Sequence, residues 1–193
     1  MLSLKESLKI LKETNALIEG HFILSSGLHS PKYVQCAQLM SKPKQALKIC
    51  ESLASKIQQN LNDFDIILSP AMGGIIVGYE LGKILNKQTI FSERVKGEFK
   101  LRRDFKINKG DKVLIVEDVI TTGKSSIECS KLVTLNNANI VGYACIIDRS
   151  NGKSEIKEKI ISQVELNIPT YNKDNLPKEL LSIEAIKPGS RNL

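Results

Sequence analysis

Glu117-Asp118 and, a few residues on, Thr121-Thr122-Gly123-Lys124-Ser125-Ser126 form the densest run of chemistry-bearing residues in the chain. The second half has the parts of a phosphate cradle. Backbone N–H groups at a helix start, with the positive end of the helix dipole, attract an anion. Thr and Ser hydroxyls add donors, and Gly123 lets the backbone approach closely. A carboxylate pair repels that same phosphate, so Glu117 and Asp118 need a neutral polyol or a cation as partner. A phosphate and two hydroxyls a few ångströms apart describe a ribose 5-phosphate. The bland alternative is a strand-turn-helix with a solvated polar loop. The nucleoside-triphosphate pattern G-x-x-x-x-G-K-[ST] fails, because Asp118 stands where its first glycine belongs.

Two other stretches carry candidate chemistry. Pro70-Ala71-Met72-Gly73-Gly74 is a glycine-rich junction able to hold a second anion, although Gly-Gly also serves close packing. Between Arg94 and Lys106 stand six basic residues (Arg94, Lys96, Lys100, Arg102, Arg103, Lys106) against two acidic ones (Glu98, Asp104). Much of the net charge of +7 is thus held in one segment, which points to an anionic partner. Elsewhere lysines alternate with acids, as on solvated helix faces.

The 193 residues suit one domain with a full core, and 41% hydrophobic with 25% charged residues is ordinary for a globular chain. No apolar run approaches the ~18 residues of a membrane span. Lys5, Glu6, Lys9 and Lys12 interrupt any signal-peptide core. Four widely spaced cysteines and two histidines give no zinc-ligand spacing, and thiols in a reducing cytoplasm are the expectation.

Apolar periodicity supplies the elements that must position these residues. Ser3 and Glu6 predict a capping box for a helix ending near Asn15. Phe22–Leu24 and Tyr33–Cys36 read as a hairpin about a Ser25-Ser26-Gly27 turn. Pro43 opens a helix running to about Asn60. Strands follow at Asp65–Ser69 and Lys87–Ser92, with a helix from the glycine junction through Leu85 between them. Glu93–Asn108 shows little periodic order and reads as a flexible flap. Val113–Val116 is a buried strand ending at the acidic pair, followed by a helix through Leu135. Asn139–Ile147 is a further strand. Glu155–Ile161 reads as a helix, Gln163–Tyr171 as a strand and turn, Pro177–Ile183 as a short helix, and Lys187–Leu193 as a polar tail. The alternation predicts an α/β fold, a parallel sheet flanked by helices, in a single domain of residues 1–193 with residues 1–40 contributing a small hood. In such sheets ligands bind beyond the carboxyl ends of the strands. The loops after Ser69, Ser92, Val116 and Ile147 are therefore expected to meet in one cleft.

An apolar strand, two acids, an aliphatic pair and T-[TA]-G-x-[ST] resemble the phosphoribosyl-pyrophosphate (PRPP) signature of type I phosphoribosyltransferases. Three other segments, in the same order, resemble the orotate-specific branch: FILSSGLHSPKYVQCA (22–37), IFSERVKGEFKLRRDFKI (90–107) and IIDRS (146–150). The resemblance implies the type I fold with a hood and a flexible flap. It implies Mg²⁺-dependent transfer of phosphoribose from PRPP to orotate, giving orotidine 5′-monophosphate and pyrophosphate in pyrimidine synthesis. It implies that Glu117, Asp118, Val119, Ile120, Thr121, Thr122, Gly123, Lys124 and Ser125 hold PRPP, with Met72, Gly73 and Gly74 on the pyrophosphate. Thr121, Arg149, Ser26, Gly27 and Tyr33 would face orotate. Arg94, Lys96 and Asp118 would be catalytic. Flap residues would act across a homodimer, and Lys87 would reach PRPP the same way. No metal ligands of the protein are implied. The chain departs from better-known bacterial members: Met72-Gly73-Gly74 lacks their lysine, Ser25 replaces another, and the flap has no histidine. A purine-specific enzyme is the nearest alternative. A PRPP-sensing regulator that binds nucleic acid is disfavoured, as is a membrane partner, because no helix-turn-helix extension or separate basic face is visible.

Overall fold

The parallel core grows from apolar runs that are covered on both faces. A computed structural model describes residues 1–188. Helix α1 (Leu4–Glu13) begins at Ser3, whose hydroxyl accepts from the Glu6 amide while Glu6 reaches back to the Ser3 amide. Strands β1 (Leu17–Ile23) and β2 (His29–Val34) pair antiparallel as a separate two-stranded sheet, followed by the short helix α2 (Cys36–Met40) and the long helix α3 (Pro43–Asn60). Then come β3 (Ile66–Pro70), α4 (Gly73–Leu85), β4 (Gln88–Val95), β5 (Glu98–Leu101), β6 (Lys112–Ile120), α5 (Lys124–Leu135), β7 (Asn139–Asp148) and β8 (Ile160–Glu165). The chain closes with a 3₁₀ turn at Lys173–Asn175 and α6 (Lys178–Leu181). No helix among the described residues is long and apolar enough to cross a membrane.

The main sheet runs β5-β4-β3-β6-β7-β8, parallel throughout except for the edge strand β5. Side-chain alternation divides its core in two. Leu114, Val116, Ala144 and Ile146 face Leu53 and Ile57 of α3 and Val77 and Leu81 of α4. Val113, Ile115, Tyr143 and Cys145 face the other way, onto Cys129 and Val133 of α5. Val113–Val116 are at most 1% exposed, as a strand buried on both faces must be.

Several sequence expectations are corrected. Strand β6 does not stop at the acidic pair: its ladder with β7 continues through Glu117–Cys145 and Val119–Ile147 to Ile120–Asp148. The backbone pairing of a central strand outlasts its apolar side chains. Glu93–Asn108 is not irregular throughout. Strand β4 runs on to Val95, turns through Lys96 and Gly97 (φ 50° and 89°), and returns as β5. Paired positive φ values make a tight hairpin turn that suits the strand twist, and Lys-Gly is a weak sequence signal for it. Residues 155–159 form no helix, and Ile160–Ile161 belong to β8, paired with Tyr143–Ala144. The first hairpin is longer on its leading strand, and Cys36 opens α2 rather than ending β2. The expected polar tail lies mostly outside the described residues.

The hood is tied to the end of the described chain. The Ile23 amide donates to the Ile186 carbonyl, and the Ile186 amide donates to the His21 carbonyl. His29 pairs with Tyr171, and His21 and His29 meet at 2.6 Å between ring nitrogens. Helix α4 approaches the sheet more closely than side chains usually allow. A Cβ on Gly74 would stand 2.8 Å from the Val116 carbonyl oxygen and 3.2 Å from Ser69 Cβ. Since a sheet carbonyl cannot swing aside, Gly74→Ala is expected to destabilise the fold by about 1–3 kcal/mol in urea unfolding. A loss below about half a kcal/mol would show that α4 can lift freely from the sheet.

Candidate active site

Two strand-to-helix junctions build the site, both at the carboxyl end of the sheet. Residues Glu117–Ser125 and Pro70–Gly74, with Val34 from the hood, line one cleft of about 410 Å³. A somewhat larger hollow of about 460 Å³ lies beside Leu101, Phe105 and Leu132, with Lys100 and Lys106. It brings together no acid pair and no hydroxyl loop.

The first junction is set by Gly123, the N-cap of α5, at φ 80° and ψ 2°. A side chain there would be strained, and its Cβ would meet Ile156 at 2.9 Å. Thr122 Oγ1 accepts from the Lys124 amide at 3.3 Å, and the Ile127 amide closes the first helical bond on the Gly123 carbonyl. Helix geometry leaves the other first-turn amides without intrahelical acceptors. They and the Thr121, Thr122 and Ser125 hydroxyls form a cradle sized for a phosphate.

The acids stand on the last residues of β6 before this cradle. Glu117 Oε1 accepts from Ser126 Oγ at 2.6 Å. Burial pushes its carboxyl up to about 7, the Ser126 bond pulls it back, and Asp118 beside it adds to the rise. Asp118 is also raised by burial, opposed by the amides of Val119 and of Asp118 itself. Its carboxylate lies against the second junction: a Cβ on Gly73 would fall 2.6 Å from Asp118 Oδ1. The glycine therefore lets the α4 entrance touch the acid pair.

Twelve of the residues singled out from sequence meet in this cleft: Met72, Gly73, Gly74 and Glu117–Ser125. The others do not line it. Arg149 follows Asp148, the β7 partner of Ile120, and its amide donates to the Ile120 carbonyl at 2.8 Å. Its Nε is buried with no hydrogen-bond partner among the described residues, and burial lowers its pKa. Ser26 and Gly27 sit in the hood turn, and the Tyr33 ring packs tilted against Phe22 at 5.7 Å. Arg94 lies on the β4–β5 hairpin, bonded to Glu128 of α5 at 2.6 Å and stacked over Phe99. Lys96 is exposed at the hairpin turn. Lys87 precedes β4, at the opposite end of the sheet, paired with Asp63 at 2.6 Å. The expected meeting of four loops is thus a meeting of two, with the β7 exit alongside; β4 runs past Ser92 without a loop there. Val34 was missed; Pro70 and Ala71, which also line the cleft, stood in the junction read as a second anion site. Val34 had no signal beyond its strand, whereas Ser126, the last hydroxyl of the cradle run, lies outside the cleft lining.

A doubly wound sheet with an acid pair and a phosphate cradle beyond its strand ends defines a domain that handles a phosphorylated sugar. The profile of the phosphoribosyl transferase domain matches residues 40–177. Orotate phosphoribosyltransferase of Parvibaculum lavamentivorans is 47% identical over 189 residues, covering 96% of this chain and 97% of that protein. That of Maricaulis maris is 44% identical, covering 97% of each. The crystal structure of orotate phosphoribosyltransferase from Aeropyrum pernix superposes with a TM-score of 0.71 at 25% identity, covering 82% of this chain and 92% of that one. The chain belongs to the orotate phosphoribosyltransferase family, a branch of the pentosyltransferases.

Burial of Glu117 has a cost that depends on pH. Its folded pKa of about 7 lies above the ordinary value of 4.5. Its stabilising contribution is therefore full below the unfolded value and is lost as pH rises through the folded one. Glu117→Gln keeps an acceptor for Ser126 without the charge. The variant is expected to match the parent near pH 4.5 and to exceed it at pH 8, by on the order of 2–3 kcal/mol. Thermal unfolding of the unliganded protein at both pH values checks this, and equal stability at pH 8 would contradict it.

Proposed function

We propose that the protein transfers the 5-phosphoribosyl group of PRPP to orotate, forming orotidine 5′-monophosphate and releasing pyrophosphate. The observation that carries this reading is the joining of an acid pair to two anion-sized junctions in one cleft, in a chain 47% identical to an orotate phosphoribosyltransferase. The α5 cradle takes the 5-phosphate. Glu117 and Asp118 accept from the ribose hydroxyls and favour positive charge on the ring as the C1–O bond to pyrophosphate breaks. Gly73 and Gly74 let the pyrophosphate approach the backbone. The ring nitrogen of orotate supplies the electron pair for the new C1–N bond, so no protein nucleophile is needed. Arg149, whose amide binds Ile120 just before the cradle and whose Nε has no hydrogen-bond partner among the described residues, supplies a cation for the orotate carboxylate. Thr121, Ser26, Gly27 and Tyr33 complete the base site.

Among the residues lining the cleft only Glu117 and Asp118 are carboxylates, and burial disfavours charge on both. That donor set suits a metal arriving on the oxygens of PRPP rather than one caged by protein. Mg²⁺, bound with the substrate, supplies neutralisation of the leaving pyrophosphate. We assign the reaction to the cytoplasm, a reducing compartment that suits the four free buried cysteines.

The cleft lining has one cation, Lys124, for a leaving group of several negative charges. Met72, Ile76 and Tyr79 form an exposed apolar stripe on and just before α4, starting at the cleft mouth. We infer a homodimer in which a second copy covers this stripe and brings Arg94 and Lys96, with Lys87, to the pyrophosphate.

Loss of orotate absorbance on mixing protein, Mg²⁺, PRPP and orotate tests the reading, and no loss would overturn it. Arg149→Ala is expected to raise the KM for orotate by roughly 10- to 100-fold, the worth of a charge-assisted hydrogen bond, with little change in the KM for PRPP. Equal losses for both substrates would remove Arg149 from the base site. Arg94→Ala is expected to lower kcat by about tenfold or more. Its Tm should fall little, because the Arg94 side of the Glu128 pair is open to solvent. An unchanged kcat would exclude it from the reaction.

A further inference from the structure

Ser126 is fully buried in the first turn of α5, below the cradle and outside the cleft lining. Its hydroxyl donates to Glu117 Oε1 at 2.6 Å, a length typical of a charge-assisted O–H···O⁻ bond. We propose that Ser126 is a positioning residue for Glu117, fixing the carboxylate and holding it ionised for the ribose hydroxyls of the substrate. The inference rests on the reaction proposed above, but its geometry does not depend on which base is used.

The hydroxyl has a single proton, and in this bond it goes to Oε1. Oε2 and the remaining lone pair of Oε1 are then the acceptors left for two ribose hydroxyls. Without the bond the carboxyl is left with burial and the neighbouring Asp118, both of which oppose its charge. Asp118 is next to it on β6, and the thiols of Cys129 on α5 and Cys145 on β7 are close enough to feel it. Burial is the largest cause of the rise in the Glu117 pKa, and Ser126 is the one group that opposes it. A protonated Glu117 would donate to a ribose oxygen instead of accepting from a hydroxyl, and would no longer favour a positive ring.

The test is the pH profile of kcat/KM for PRPP from about pH 5.5 to about pH 9 in the parent, Ser126→Ala and Ser126→Thr. Ser126→Ala is expected to move the acid limb up by about one pH unit, an activity loss of about tenfold near pH 6 that largely disappears near pH 9. Ser126→Thr restores the hydroxyl and is expected to return the limb. In a Glu117→Gln background, adding Ser126→Ala should leave the profile's shape unchanged. A uniform loss at all pH values, or the same shift in the Glu117→Gln background, would overturn the proposal. Carbon NMR of the Glu117 carboxyl, assigned through Glu117→Gln, reads the same shift without turnover. A parent that fails to use orotate therefore defeats the proposed reaction, whereas an unmoved Glu117 titration in Ser126→Ala defeats this inference.

Discussion

The ladder between Lys112–Ile120 and Asn139–Asp148 is the constraint on which the site depends. A central strand covered on both faces has nowhere to put a charge except at its end. Here the ladder carries two carboxylates past the apolar run while still pairing their backbones. Glu117 and Asp118 are therefore fixed by the sheet rather than by a loop, and the cost is desolvation. Burial raises both pKa values. A cation or a polyol relieves this state, and the polyol does so by donating hydroxyls to the carboxylates without adding a full charge. On the proposed reading the acid pair is prepared for a ribose before any ribose arrives, as electrostatic preorganisation requires.

Close approach is the second constraint, and it follows from the first. Substrate phosphates at both ends of a ribose need two helix entrances within reach of one acid pair. The α5 entrance reaches it through chain continuity, since Ile120 is followed directly by the cradle. The α4 entrance reaches it only by missing side chains: at Gly73 against Asp118, and at Gly74 against the Val116 carbonyl. The Gly-Gly pair therefore brings α4 against the sheet and its entrance against the acid pair at once, and on the proposed reading the same closeness admits the ligand. The two readings that sequence leaves open at this junction are the same geometric fact.

Legibility in the sequence followed the physics of each segment. Buried strands and amphipathic helices announced themselves because burial on both faces, or on one stripe, leaves a periodic apolar trace. Pro43–Asn60 was found at both ends, since proline opens it and its stripe runs the full length. The cradle was legible because its chemistry is local in sequence. The extension of β6 through its acids was not, because a backbone ladder with β7 is a long-range fact that side-chain polarity hides. The β4–β5 hairpin escaped for a related reason: Lys96 adopts a left-handed conformation that its residue type does not advertise. The role of Ser126 needed three dimensions, since it meets Glu117 nine residues away across the strand-helix turn.

Charge balance argues for where the remaining machinery comes from. The cleft lining offers two acids and one lysine, yet the proposed leaving group is a polyanion. Six basic residues stand in the segment from Arg94 to Lys106, and in the single chain many are engaged internally. Arg94 is bonded to Glu128, and Arg102 and Arg103 approach Glu93 at 3.7 and 3.0 Å. The arginine of each pair is exposed while its glutamate is partly buried, and ion pairs open to solvent on one side are worth only about 1 kcal/mol. A pyrophosphate bearing several charges competes with them easily. The hairpin's arginines are accordingly held by ion pairs weak enough to exchange, while the β4–β5 ladder keeps Lys96 at its tip. The proposed reading therefore assigns neutralisation of the leaving group to the substrate-bound assembly rather than to the folded chain alone. This explains how a cleft with so few cations of its own can serve a reaction that expels pyrophosphate.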